Sequence, residues 1–297
     1  MTEGVYRGVP ESEYHSWPEL SASRLKKMEH PDDPLQMLPA QYKHSLDAPF
    51  LGTAATLLGS AVHLAILFPE TWAANIEESK YKTTCQGFFA EREEGPEKTW
   101  LLSGQREKVE AMQEAFLCQP GDMAAHARSI LGGATDREVS LKFELAGEPM
   151  KARIDMAGND YVADLKTVGA KGGASARAFS RHALDYGYLR QAAIYAKGAE
   201  LAGLMKEPCE IFYFIALEVE PPHLVNVFAV NSYDLLLGIG QAMQYIVKIR
   251  ECKDSGEWPG YESHEVPVLQ HPEWCRDKLN ETVSKFLDRV TTEKEKR

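Results

Sequence analysis

The chain has 297 residues, 44% of them hydrophobic and 26% charged, which is typical of a globular protein that buries a full core. No apolar run approaches membrane-spanning length, and the amino-terminal residues do not resemble a signal peptide. The five cysteines are scattered without a Cys-x-x-Cys pair, so we expect no disulfide, no zinc and no iron–sulfur cluster. Together these features predict a cytoplasmic protein without membrane contact.

The predicted elements alternate between helices and strands. Short helices with proline-rich breaks are expected up to about residue 72, and a mobile acidic loop over 87–98. Further helices are predicted over 103–118, 122–131, 185–201 and 233–252. Strands are predicted over 138–145, 150–156, 161–166, 210–218 and 224–230. The pattern predicts an α/β fold with a mixed central sheet flanked by helices.

The length permits one large domain or two small ones, and we expect a single domain over residues 1–297. Residues 1–100 would form a helical amino-terminal region. Residues 101–260 would form the core that carries the sheet. Residues 261–297 are highly charged and are expected to form a helical tail.

The most informative part of the sequence is the predicted hairpin of strands 150–156 and 161–166. Asp164 and Lys166 are two residues apart, so they point to the same face of their strand. Asp155 lies on the neighbouring strand, close enough to share a metal ion with Asp164. Such residues usually lie on a solvated strand face, but the apolar neighbours here predict burial. Carboxylate oxygens bind hard divalent cations, so the hairpin predicts a metal site with an amine beside it.

A helical segment after the hairpin carries a second polar pair. Gln191 and Tyr195 are four residues apart and therefore lie on one side of the helix predicted over 185–201. Alone, this pair would indicate a polar helix face with a core tyrosine. At this distance after the Asp-x-Lys strand, we interpret it as part of the same site.

These motifs resemble a known superfamily. Asp155, the Asp164-x-Lys166 pair and the Gln191-x-x-x-Tyr195 helix are similar to the RecB-like branch of the PD-(D/E)xK nucleases. The residue before Asp155 is isoleucine rather than the proline of the superfamily's name, at a position that varies among its members. Three other segments resemble RecE-type exonucleases (exonuclease VIII): Tyr14–Leu25, Gly59–Glu70 and Phe214–Pro222.

The resemblance implies a restriction-endonuclease-like core and a Mg²⁺-dependent exodeoxyribonuclease, with Mn²⁺ as a substitute. Such an enzyme degrades one strand of linear duplex DNA from the 5′ end and leaves 3′ single strands for recombination. The resemblance also implies a homo-oligomeric ring, expected to be a tetramer, and a single-strand annealing protein as partner, in a bacterial or phage-infected cell. Another nuclease of the superfamily, acting on internal or single-stranded sites, would share every catalytic residue. A non-catalytic DNA-binding protein of the same fold is the third reading.

The resemblance also assigns roles to individual residues. Asp155 and Asp164 would bind metal, and Lys166 would activate the attacking water or stabilise charge on the phosphate. His63 would be an additional metal ligand presented by a helix that begins near Gly59; otherwise it is a histidine on an amphipathic helix. Gln191 and Tyr195 would position Lys166 or the DNA backbone. Glu138 is read either as an acidic residue beside the metals or as an exposed strand end.

The net charge of −11 means that any grip on DNA phosphates must be local. Near the amino terminus, Ser21 or Ser23 would cap a helix, and with Arg24 would form a pocket for the 5′-phosphate. Solvated helix faces are the competing reading of this cluster and of the next. The second candidate cluster follows the Asp-x-Lys strand and contains Arg177, Arg181 and Arg190.

Overall fold

A six-stranded mixed sheet lies at the centre of the computed structural model, which describes residues 2–30, 36–46, 52–169, 172–209, 211–262, 266 and 271–295. The strands of the chain are β1 (Gly4–Tyr6), β2 (Ile76–Glu78), β3 (Thr99–Leu101), β4 (Asp136–Leu145), β5 (Glu148–Ala157), β6 (Tyr161–Val168), β7 (Ile211–Glu218) and β8 (Val225–Val230). The order in the main sheet is β1-β4-β5-β6-β7-β8, and β2 pairs with β3 separately. Among the described strands, β6 and β7 are the one parallel pair of neighbours in the main sheet. The predicted mixed α/β fold is therefore confirmed.

The described part of the chain forms twelve α-helices. They are α1 (Glu11–Ser16), α2 (Ala22–Leu25), α3 (Pro39–Leu46), α4 (Ala54–Leu67), α5 (Trp72–Asn75), α6 (Gln86–Glu94), α7 (Arg106–Cys118), α8 (Asp122–Gly133), α9 (Ala176–Asp185), α10 (Tyr188–Leu201), α11 (Ser232–Ser255) and α12 (Glu273–Glu295), with a 3₁₀ turn over Lys26–Met28. Residues Met1–Gly260 form one compact unit, and Tyr261–Arg297, which includes α12, form another. Among the described residues, none of the helices is both long enough and apolar enough to cross a bilayer.

Two apolar layers cover the two faces of the sheet. One layer joins the sheet to α10 and α11, and the other joins it to α4, α7 and α8. Along β7, Phe214 belongs to the first layer and Ile215 to the second, because successive side chains of a strand point to opposite faces. Burial on both faces explains why β7 reads as an almost continuous apolar run.

The β5–β6 hairpin opens immediately after its turn. Its strands pair only at Met156 with Ala163 and at Ala157 with Val162. Beyond these pairs, the backbone N–H of Leu165 donates to the Asp155 carboxylate at 2.8 Å. The Asp155 side chain thus takes the place that a backbone carbonyl of β5 would have had if the pairing of β5 with β6 had continued. The opening of the hairpin brings Asp155 between the two strands.

The segment 87–98 is not the mobile loop that its glycine and acidic residues predicted. It contains most of α6, whose Phe88 is fully buried against Leu57 and Leu102. Burying one aromatic side chain removes a large apolar area from water. This gain outweighs the low helix preference of the flanking glycines.

We expect Phe88→Ala to lower the free energy of unfolding by about 3–5 kcal/mol, because it empties a packed aromatic site. Phe89→Ala is the matched control, since Phe89 is only partly buried and should lose less. Urea denaturation of both variants measures the difference. Equal losses for the two phenylalanines would mean that α6 does not pack through Phe88.

The helix predicted over 185–201 also differs from the observed one. A turn at Gly187 separates α9 from α10, so the second helix begins at Tyr188. Gly187 has φ of +67°, a left-handed conformation that glycine adopts without steric cost. This turn directs α10 across the sheet and sets the position of Gln191.

Candidate active site

Asp155, Asp164 and Lys166 lie together where β5 and β6 separate. Both carboxylates are buried. Lys166 Nζ is 2.6 Å from Asp164 Oδ2, as expected for residues two apart on one strand. Buried charges of this kind require compensation by partners, and the surrounding helices supply it.

Helix α10 orients the Asp164–Lys166 pair through one amide. Gln191 Nε2 donates to Asp164 Oδ1 at 2.8 Å, and Gln191 Oε1 accepts from Lys166 Nζ at 3.2 Å. Tyr195 lies one turn further along the helix. Desolvation raises the pKa of Tyr195 well above its ordinary value, while a hydrogen bond with Gln191 opposes the shift. Gln191 and Tyr195 thus support the pair from one side of α10.

Helix α4 brings His63 to Asp155 from another direction. Its Nδ1 atom is 3.3 Å from Asp155 Oδ2. The helix begins at Ala54 rather than near Gly59, because Thr53 accepts from the Thr56 backbone and forms a capping box. The earlier start adds a full turn before His63. The helix is anchored in the apolar layer that it forms with α7, α8 and the sheet.

The charges of the four groups are strongly coupled by proximity. Burial disfavours the charged form of His63, but the Asp155 carboxylate outweighs it and raises the pKa of His63 to about 9. Burial also opposes ionisation of Asp155, yet the His63 charge outweighs it and lowers the pKa of Asp155. Burial, assisted by Asp155, raises the pKa of Asp164 to about 6 despite Lys166. Burial opposes the charged form of Lys166, but Asp164 outweighs it and raises the pKa of Lys166.

The raised pKa of His63 gives a testable dependence of stability on pH. The folded protein binds the proton of His63 more tightly than the unfolded chain does. The resulting gain in the free energy of unfolding is therefore complete below pH 6.5, the ordinary pKa, and is lost as the pH rises through about 9, the pKa in the folded protein. With divalent metals chelated, the wild type should lose about 3 kcal/mol more of its unfolding free energy between pH 6.5 and 9 than His63→Gln. Urea denaturation across this range measures both slopes. Identical slopes would show that His63 does not pair with Asp155.

Glu138 lies opposite Asp155 but is held by another residue. It falls between the paired positions Arg137–Met156 and Val139–Ile154, and it has a left-handed φ of +47°. Such a backbone conformation costs about 1–3 kcal/mol for a residue other than glycine. Its carboxylate accepts from Arg153 at 2.7 and 3.2 Å. Glu138 is therefore an ion-paired residue at the edge of the site, and its charge contributes to the raised pKa of His63.

The predicted DNA-binding residues have different surroundings. Ser21 is buried and accepts from the Arg24 backbone N–H at 3.4 Å, so it caps α2, and its hydroxyl lies 3.0 Å from that of Ser23. Arg24 is partly exposed. Arg177 and Arg181 are exposed on α9. Four of these five side chains are thus at least partly accessible to a ligand.

The DNA-contact prediction for Arg190 is wrong in this structure. Only 2% of Arg190 is exposed. Its guanidinium forms an ion pair with Glu29, donates to Gln241 and lies 5.0 Å from the ring of Tyr245. A guanidinium so buried among protein partners links α10 to α11 and cannot reach a phosphate.

Two residues of the site were not assigned a role from the sequence. Tyr188 lies beneath the lysine, with Lys166 Nζ 4.8 Å from its ring centre. It precedes Gln191 by three residues, so helical spacing could have placed the two on one side of α10. Arg153 precedes Asp155 by two residues on β5 and fixes Glu138. Strand alternation could have placed Arg153 beside the site, but its partner could not be foreseen.

The donor atoms fit a divalent cation. Two buried carboxylates are ligands that suit Mg²⁺ and Mn²⁺, and an additional imidazole nitrogen favours Mn²⁺, a transition metal, over Mg²⁺. Asp164 Oδ2 contacts the Lys166 ammonium at 2.6 Å and has no other partner among the described residues. In the described part of the chain, no three ligating side chains already converge on one point. Asp155, Asp164 and His63 would hold the ion after their contacts with each other and with Lys166 rearrange.

The chain is similar to known proteins in sequence and in fold. Residues 21–271 match the family described as "PDDEXK-like domain of unknown function (DUF3799)". A crystal structure described as "Putative exonuclease" from Eubacterium rectale is similar, with a TM-score of 0.58 and 14% identity over 90% of this chain and 96% of its own. That likeness shows the fold alone.

Two other comparisons carry no argument about function. The crystal structure of SSO0001 has 14% identity over 71% of this chain and 86% of its own, with a TM-score of only 0.28. No curated protein matches the chain in sequence.

The family match over residues 21–271 covers most of the chain and includes Asp155, Asp164 and Lys166. The chain therefore belongs to the family of PDDEXK-like domains of unknown function, within the PD-(D/E)xK nuclease superfamily.

Proposed function

We propose that the protein is a Mg²⁺-dependent exodeoxyribonuclease that degrades linear duplex DNA in the 5′-to-3′ direction and leaves 3′ single strands. The observation that carries the nuclease proposal is the cluster at the opening of the hairpin, where Asp155, Asp164 and Lys166 meet. The exonuclease polarity rests on the resemblance to RecE-type enzymes. The E. rectale structure, described as "Putative exonuclease", supports the same class of reaction.

The residues of the site can divide the work of phosphodiester hydrolysis. A bound divalent ion lowers the pKa of a water molecule and stabilises the leaving oxygen. Lys166 lies beside Asp164, where it could stabilise charge on the phosphate or activate the attacking water. Gln191 holds the ammonium in place through its Oε1 atom. Asp155 and Asp164 would hold the cation.

The proposal is tested with linear duplexes labelled at the 5′ or the 3′ end. In Mg²⁺, early release of the 5′ label, survival of the 3′ label on long products and an intact closed circular control would support it. Cleavage of closed circular DNA would instead indicate an endonuclease. Early release of the 3′ label would overturn the proposed polarity.

We also propose two partners by the same resemblance. The protein would assemble as a ring of identical chains, a tetramer, and would act with a single-strand annealing protein that binds the 3′ strand. Sedimentation analysis of the purified chain tests the assembly directly. A monomer at micromolar concentration would contradict the ring.

Arg24 is the proposed contact for the 5′-phosphate. A charge-assisted contact contributes about 1.5–3 kcal/mol, so Arg24→Ala should reduce the preference for 5′-phosphorylated over 5′-hydroxyl duplexes by about 10- to 100-fold. Lys27→Ala is the matched control, because Lys27 is an exposed cation of the next turn. Initial digestion rates on both duplexes measure the preference. An unchanged preference in Arg24→Ala would remove Arg24 from the pocket.

A further inference from the structure

Two tyrosines form an aromatic path from Lys166 to the protein surface. The ring of Tyr188 lies 4.8 Å from Lys166 Nζ. The ring of Tyr186 stacks beside Tyr188, with centroids 5.8 Å apart and planes inclined by 22°. Tyr186 itself is 56% exposed. The exposed ring of Tyr186 is thus connected through the ring of Tyr188 to Lys166 in the proposed active site.

The turn between α9 and α10 holds this exposed ring in place. Gly187 packs so tightly that an added Cβ atom would lie 2.7 Å from the Arg190 guanidinium. Lys26 Nζ donates to the backbone carbonyl of Asp185 at 2.7 Å and lies 4.4 Å from the centre of the Tyr186 ring. Tyr186 is therefore a positioned aromatic side chain on a structured turn.

Several cations lie at this ring or on the helix before it, in a chain that is acidic overall. Arg177 and Arg181 are exposed and four residues apart, so they share one side of α9. The ring of His182 meets that of Tyr186 edge-on at 6.0 Å. Asp185 is the single acidic residue of α9. With Lys26 at the ring, α9 and its turn thus carry a local excess of positive charge despite Asp185.

We propose that Tyr186 is a stacking platform for a base of the unpaired DNA strand beside the active site, with Arg177 and Arg181 contacting neighbouring phosphates. This proposal rests on the proposed nuclease function. Aromatic rings interleaved with cations bind single strands, since any base can stack on a ring while cations hold the backbone. Bases inside a duplex already stack on both neighbours, so the platform selects unpaired nucleotides.

The test measures binding of a fluorescein-labelled thymidine octanucleotide in EDTA, so that no cleavage is needed. Tyr186→Leu keeps an apolar side chain but removes the ring, and should weaken binding about 5- to 150-fold. Tyr186→Phe keeps the ring and should bind within about twofold of the wild type. An abasic octanucleotide carries the same phosphates without bases, and its affinity should be the same for all three proteins. Thermal melting confirms that each variant is folded.

Several results would overturn the proposal. One is equal affinity of the wild type and Tyr186→Leu for the thymidine oligonucleotide. Another is that Tyr186→Leu loses as much affinity for the abasic oligonucleotide as for the thymidine one. A third is that the wild type does not bind the thymidine oligonucleotide. A change in self-association at unchanged oligonucleotide affinity would assign the turn to a second copy and also overturn it. If Tyr186-dependent binding occurs but DNA stays uncut in Mg²⁺, the platform stands and the nuclease proposal fails.

Discussion

Asp164→Asn is expected to lower the rate of DNA cleavage by about 10³-fold or more, because it removes a carboxylate that the metal requires. Lys166→Gln should lower the rate by about 10²- to 10³-fold, as expected for the loss of one group that stabilises transition-state charge. Gln191 holds both residues through its amide, and both replacements keep a polar group that the amide can bind. Initial rates on labelled duplex in Mg²⁺ measure both effects.

Matched controls separate this loss from a general effect of charge. Asp160→Asn changes an exposed carboxylate in the turn of the same hairpin, and Lys197→Gln changes a lysine on α10. Both should cleave at the wild-type rate. Burial raises the pKa of Asp164 to about 6, so its ionised form destabilises the fold at pH 8, whereas its contact with the buried Lys166 stabilises it. Thermal melting with metal chelated therefore has to show that Asp164→Asn is folded before its cleavage rate is compared. Cleavage by folded Asp164→Asn at the wild-type rate would refute the site assignment.

Chelation of divalent metals should abolish cleavage, and added Mg²⁺ or Mn²⁺ should restore it. The ion should also stabilise the fold, because it binds the native arrangement of Asp155 and Asp164 and relieves their mutual repulsion. At a concentration 100 times its dissociation constant, a ligand contributes about 2.7 kcal/mol to the free energy of unfolding. Melting curves with EDTA and with increasing Mg²⁺ measure this coupling.

The same melting curves contain the control. Asp155→Asn and Asp164→Asn should lose most of the Mg²⁺-dependent increase in melting temperature, whereas Asp160→Asn should keep it. Cleavage that persists in EDTA, or an equal increase for all three variants, would contradict metal binding at this site.

The centre of the fold was predictable because its strands follow simple periodicity. Strands β5 and β6 lie within two residues of their predicted bounds, since apolar residues and a turn delimit them. Asp164 and Lys166 share a strand face for the same reason. The three-residue strands β2 and β3 carried no such signal, because they are too short for a recognisable alternation.

Features that depend on distant contacts were not predictable. The burial of Phe88 depends on Leu57 and Leu102, which no local pattern connects to it. Arg190 looked like a DNA contact because its neighbours are basic, yet Glu29 from another part of the chain captures it. The opening of the hairpin beyond Met156 could not be read from the sequence, because both strands continue past the last paired positions. Long-range partners therefore decided the details of the site.

The central claim is that Asp155 and Asp164 together bind a divalent cation. The most direct measurement is a crystal structure of the protein with Mn²⁺, in which anomalous scattering locates the ion. We predict one or two ions bonded to both carboxylates, with His63 Nδ1 about 2.0–2.3 Å from an ion and its contact with Asp155 rearranged. At saturating Mn²⁺, intact His63–Asp155 and Lys166–Asp164 contacts with no ion between the carboxylates would contradict the claim.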